Sequence, residues 1–185
     1  MADLITLANL KGYLFPGETN TTYDSILETI IDAVSARVRG AVGGCDILTA
    51  TYTKEEITGR GTKYLYTKHW PITSVTTVTD QDGNTYVAGH DDDYSFDDYS
   101  IISSGKWLEI PKYYIVTYVA GYSALPSDLT LLCYELCMER FKAMKDKWAG
   151  EASRSFPDGS VSLFTDKEFT KDQQAVINSY RRPRM

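Results

Sequence analysis

From Asp24 onward the apolar residues Ile26, Leu27, Ile30, Ile31, Val34 and Val38 recur at helical spacing, while Glu28, Asp32, Arg37 and Arg39 fall mainly on other faces. This pattern predicts an amphipathic core helix over 24–39, ended by the glycine-rich run 40–44. A second long helix is predicted over 127–148, opened by Ser127 as cap and marked by Leu129, Leu132, Cys133, Leu136, Phe141, Met144 and Trp148. Lys142, Lys145 and Lys147 in its last turns complement the negative end of the helix dipole. Two short helices flank these. Thr6 caps one over 6–14, stopped by Pro16-Gly17, and the capping-box spacing of Thr170 and Gln173 opens another that runs to about Tyr180.

Between the long helices the period changes from helical to alternating. Strands are predicted at 47–52, 64–66, 75–79, 85–87, 99–102, 107–110 and 113–119, rich in Val, Ile, Thr and Tyr. Asp82-Gly83-Asn84 and Ser103-Ser104-Gly105 have the composition of hairpin turns, because Gly and Asn accept the positive φ such turns need. Gly121 provides the same freedom after the last strand, and Pro71 opens the strand that contains Val75 and Val78. Pairing among sequence neighbours implies antiparallel sheets. The expected fold class is therefore α+β: a small helical core of two long helices plus short terminal ones, with an antiparallel β-rich middle. Residues 1–148 read as one domain carrying a β-rich insert at about 47–119. Residues 149–165, Gly- and Ser-rich around Phe156-Pro157-Asp158-Gly159, read as a flexible linker or a segment that orders on a partner.

Composition narrows the function classes. The 185 residues are 43% hydrophobic with 14 tyrosines, which suits a globular protein and surfaces wet in one state and buried in another. A net charge of -6 argues against general DNA binding, which rests on phosphate neutralisation, though an acidic wall suits a conduit that DNA must not stick to. No signal peptide and no apolar run near the roughly 20 residues of a membrane span is expected. The three cysteines, Cys45, Cys133 and Cys137, contain no CxxC pair and read as free thiols, the last two buried.

A catalytic reading needs a nucleophile, a base and a group to orient them. The only histidines are His69, before Trp70-Pro71, and His90, in an acidic loop. No HExxH, Walker loop or GxSxG occurs, and Gly59-Arg60-Gly61 reads as a turn, so neither an enzyme nor a cofactor is expected. The acidic cluster Asp91, Asp92, Asp93, Asp97 and Asp98 admits three readings: a solvated loop, a channel- or tail-facing surface, or a Ca²⁺ site without EF-hand spacing. The terminal Arg181, Arg182 and Arg184 could neutralise roughly three phosphates, too few for strong DNA binding. A solvated tail or forked hydrogen bonds to a partner's carboxylates are the alternatives.

Several landmarks occur in a fixed order: Leu4-Ile5-Thr6-Leu7, the helix from Asp24, Trp70-Pro71-Ile72 leading into Val75 and Val78, Tyr118-Val119-Ala120-Gly121-Tyr122, Pro126-Ser127-Asp128-Leu129, and the ending Tyr180-Arg181-Arg182-Pro183-Arg184. In this order the chain resembles the head-tail connector proteins of long-tailed bacteriophages, the adaptor or head-completion proteins. The resemblance covers most of the chain and thins between Asp80 and Lys112. It implies a structural virion protein at the head-tail junction, made in the host cytoplasm, that joins a ring, usually of twelve copies, beneath the portal protein. The ring would extend the DNA channel, without sequence-specific DNA binding, toward a stopper or tail-completion protein. The resemblance also implies that 149–185 docks on the portal, through Phe156, Phe164, Tyr180, Arg181, Arg182 and Arg184. A different reading is a β-rich accessory module of a phage tail that binds carbohydrate or protein through exposed tyrosines.

Overall fold

The computed structural model describes residues 3–17, 19–44, 46–89, 93–145, 153–156, 159–162 and 169–181, with backbone alone at 153–156 and 159–162. The chain divides into two compact units, one formed by 3–43 with 126–181 and the other by 44–125. Helices build most of the first, which also holds a two-stranded sheet, and sheets build the second, the α+β composition expected from the change of hydrophobic period.

In the helical unit, α1 (Leu7–Leu14) begins at Thr6, whose hydroxyl accepts a hydrogen bond from the Asn9 N–H at 3.2 Å. Helix α2 (Asp24–Val42) starts where predicted but runs three residues beyond Arg39, and Gly43 closes it by donating to the Arg39 carbonyl. Gly40 is tolerated inside it because burial of Val38 and Val42 on one face outweighs about 1 kcal/mol of helix propensity. The buried stripe is Leu27, Ile31, Val34, Val38 and Val42, whereas Ile26 is exposed. Helix α3 (Ser127–Lys145) buries Leu129, Leu132, Cys133, Leu136, Cys137 and Phe141. Ser127 is its first residue rather than its cap, since the Pro126 carbonyl accepts the first helical bond from Thr130. The predicted Trp148 lies outside the described residues. Helix α4 (Lys171–Ser179) forms the predicted capping box, with Thr170 and Gln173 bonding each other's backbone N–H, and packs on α2 and α3.

The β-rich unit holds two sheets. One has the order β1-β7-β3-β4 and the other β2-β6-β5. Their strands are β1 (Ala50–Ile57), β2 (Tyr64–Tyr66), β3 (Ile72–Asp80), β4 (Thr85–Tyr86), β5 (Tyr94–Phe96), β6 (Ser100–Ser103) and β7 (Tyr114–Ala120). All six strand ladders among the described residues are antiparallel, as expected. Strand β7 is central and alternates buried and half-buried residues along its whole length. Gly121 follows it at φ +107°, and a Cβ there would sit 2.5 Å from the Leu48 carbonyl oxygen, so only glycine fits. The core is aromatic: Trp107, Tyr113, Tyr114, Tyr118 and Tyr94 pack with Leu65, Val78, Ile101 and Val116.

Three strand expectations change, the first being the strand expected at 47–52, which lies instead at Ala50–Ile57. Residues 107–110 form no strand, because their backbone bonds go to scattered partners: Trp107 N–H to Thr62, Leu108 N–H to the Tyr114 hydroxyl. The Ser103-Ser104-Gly105 bend therefore joins no hairpin. Conversely β5 escapes prediction, since Tyr94-Ser95-Phe96 is bracketed by aspartates that dilute its apolar signal. In the segment read as a linker, β8 (Ser153–Phe156) and β9 (Gly159–Ser162) pair as a two-stranded antiparallel sheet.

Candidate functional site

His69 is the one predicted chemical group with a full environment. Its ring stacks on Tyr52 with centroids 3.6 Å apart and planes 7° from parallel. The Tyr118 hydroxyl donates to Glu55 at 2.8 Å and accepts from the His69 N–H at 3.2 Å. Burial holds the His69 pKa below its ordinary value, against the opposing pull of Glu55 and Asp46, so the ring is neutral at neutral pH. Its Nδ1 has no hydrogen-bond partner among the described residues, so nothing is activated through it. The cluster ties β1 and β7 to the loop before β3. This is a structural arrangement. His90 lies outside the described residues.

The acidic loop is also partly accounted for by local bonding. Asp97 accepts from the Ser100 and Tyr99 N–H groups at 2.7 and 2.8 Å, which shapes the turn between β5 and β6. Asp93 accepts from the Val87 N–H at 2.9 Å, and the Asp98 carbonyl accepts from the Ile72 N–H. All three side chains reach solvent. Asp91 and Asp92 lie outside the described residues. Among the described residues no group of three or more His, Cys, Asp or Glu could hold a metal ion. Cys133 and Cys137 are free and buried, and burial pushes both thiols up to about 12, too high for a reactive thiolate. Cys45 is not among the described residues.

Of the predicted docking residues, two can be placed. The Tyr180 hydroxyl donates to Asp128 at the start of α3 (2.6 Å), and Arg181 Nε donates to the Ala41 carbonyl in the last turn of α2 (2.6 Å). The end of α4 is thereby fastened to both long helices. Phe164, Arg182 and Arg184 lie outside the described residues, and of Phe156 only the backbone is described.

Exposed apolar groups supply the remaining surface. On the helical unit Tyr13 stacks on Tyr134 at 4.9 Å beside an exposed Leu131. A recess of about 150 Å³ between α1, α2 and α3 is lined by Lys11, Phe15, Tyr23 and Lys145. Lys11 there is already committed to Asp24 and the Asn20 carbonyl, both at 2.7 Å. That is below the roughly 300 Å³ at which small-molecule sites begin. On the β-rich unit Tyr64 and Tyr66 stack at 6.1 Å with the Arg60 guanidinium 5.9 Å from the Tyr66 ring. Sequence reasoning did not single out this strip. Its signal was the alternation Tyr64-Leu65-Tyr66, with the aromatics out and Leu65 fully buried.

No curated protein matches the chain in sequence. Its fold is similar to that of a chain in the virion of a native gene transfer agent particle, 17% identical with a TM-score of 0.56, covering 98% of this chain and 91% of that one. A chain in the neck of an empty particle, computed with C6 symmetry, is 16% identical with a TM-score of 0.55 over the same shares of the two chains. The sequence profile described as head completion protein matches residues 3–183, nearly the whole length, and the chain belongs to the head completion protein family.

Proposed function

We propose that the protein is a structural head-tail adaptor of a long-tailed phage. Copies assemble as a ring beneath the portal protein and extend the DNA channel to a stopper or tail-completion protein. The observation that carries this reading is the family match over residues 3–183. The similar fold in particle necks computed with C6 and C12 symmetry supports the ring, and a dodecamer is the copy number we infer. DNA passes the lumen without sequence-specific binding, in keeping with a net charge of -6. The protein assembles in the host cytoplasm and ends at the head-tail junction of the virion.

Residues 149–185 are the inferred portal-docking segment. Tyr180 and Arg181, which fasten the end of α4 to α3 and α2, are the docking residues of this reading that are anchored on the helical unit. Phe156 and Phe164 are the apolar anchors of the same reading. The exposed carboxylates of Asp93, Asp97 and Asp98 belong to its acidic channel- or tail-facing loop, together with Asp91 and Asp92.

Co-sedimentation with the portal protein of the same genome, followed by negative-stain imaging, tests the proposal. Full-length protein should add a ring to the portal, and a chain truncated after Ala149 should not. No binding to an intact portal would overturn the adaptor reading and favour the carbohydrate- or protein-binding accessory module, with Tyr64 and Tyr66 as its stacking surface.

A further inference from the structure

A closed ring of identical copies needs two different patches on each copy, facing apart, so that one meets the other on the next copy. The three-stranded sheet β2-β6-β5 has such a pair. Strand β2 forms one edge and β5 the other, with β6 between them, about 10 Å apart by strand spacing.

The two edges differ in chemistry. At β2 the stacked Tyr64 and Tyr66 lie beside Arg60, with exposed Lys63 and Lys68 nearby, and Tyr64 is 44% exposed. Two acids neighbour this edge: Glu109 approaches Gly61, and Glu55 accepts from the Lys68 backbone N–H. The edge therefore keeps a cationic excess. At β5 the exposed carboxylates are Asp93 before the strand and Asp97 and Asp98 after it, with Lys106 beyond β6 as the nearest cation in sequence.

Neither edge invites simple strand addition. The Thr62 hydroxyl bonds both the N–H and the carbonyl of Tyr64 on the outer side of β2, and residues 87–89 bond both the N–H and the carbonyl of Tyr94 on the outer side of β5. Contact at these edges must then run through side chains. An aromatic pair, Tyr64 exposed and Tyr66 half-buried, flanked by guanidinium and ammonium groups offers apolar area together with donors for carboxylates.

We propose that neighbouring copies meet side by side through this sheet, the Arg60–Tyr66–Tyr64 strip of one copy receiving the acidic β5–β6 turn, Asp97 and Asp98, of the next. The inference rests on the ring reading and assigns its lateral interface. Asp97 shapes the turn through the Tyr99 and Ser100 N–H groups, which leaves Asp98 as the carboxylate to vary.

The test is a charge exchange on the full-length protein, with ring assembly on the portal read by negative stain and by mass distribution. Arg60→Glu and Asp98→Lys should each raise the concentration for half-assembly by about tenfold or more, since each sets like charges against each other. The double variant should recover most of the loss. Unchanged melting temperatures of the unassembled variants, expected at exposed positions, exclude misfolding as the cause. Intact rings in both single variants would overturn this interface and leave the adaptor reading standing. Loss in both without recovery in the double variant would overturn the pairing of these two patches. A wild type that binds no portal would overturn the adaptor reading and the interface with it.

Discussion

Asp80 closes the turn into β4 by accepting from the Asn84 backbone N–H and side-chain amide, both at 2.9 Å, and from the Tyr86 hydroxyl at 3.0 Å. Burial alone would raise its pKa, but these donors prevail and hold the carboxyl below its ordinary 3.8. A depressed folded-state pKa means that its contribution is fully present above the unfolded value and is lost as pH falls through the folded one. Denaturation measured between pH 7 and pH 2 should therefore show stability falling below about pH 3.8, with a shallower fall in Asp80→Asn. At Gly121 the constraint is steric instead. Gly121→Ala places a methyl against the Leu48 carbonyl in a left-handed conformation, and urea titration should show a loss of about 2–4 kcal/mol. An unaffected midpoint would mean that the Leu48 segment moves aside at no cost.

At the scale of elements, α4 depends on its cap. Thr170→Ala removes the acceptor for the Gln173 N–H and should cost about 0.5–2 kcal/mol, read as faster amide exchange over 171–174. Equal exchange in both proteins would show that packing on α2 and α3 alone holds the helix. This helix was legible from a Thr and a Gln three apart because capping is local chemistry. The start of α2, which has no side-chain cap, was legible instead from the helical spacing of its apolar residues. Its end was not: Gly40 resembles a stop signal in sequence, and only the burial of Val42 carries the helix past it. The 107–110 segment shows the opposite failure. Trp107 and Leu108 have strand composition, yet Trp107 is 1% exposed because its indole N–H bonds the Ile101 carbonyl and its ring packs on Tyr114 and Tyr86. Tertiary contacts, which no local pattern records, decide its conformation. The candidate surfaces follow the same division. The acidic turn stands out as a run of charge, whereas the Tyr64–Tyr66 strip emerges only once β2 is known to be a sheet edge.

For the molecule as a whole, the two units differ in how the chain builds them. Among the described residues the β-rich unit is one continuous stretch, 44–125, whereas the helical unit needs both 3–43 and 126–181. Each has its own buried residues, and a continuous unit with its own core is able to fold alone. A fragment of residues 44–125 should give dispersed amide resonances and a cooperative melt. Residues 1–43 alone should give neither, since α2 would lack the partner that covers Leu27, Ile31, Val34 and Val38. A disordered 44–125 fragment would show that its core needs the helices. The split order of the helical unit also has a consequence during synthesis. About 85 residues of chain separate the end of α2 from the start of α3, so a ribosome working at roughly 5–20 residues per second leaves the apolar face of α2 uncovered for about 4–17 s. The nascent chain is most open to aggregation and to chaperone capture in that interval, after α2 has emerged and before the second half of its own core has been translated.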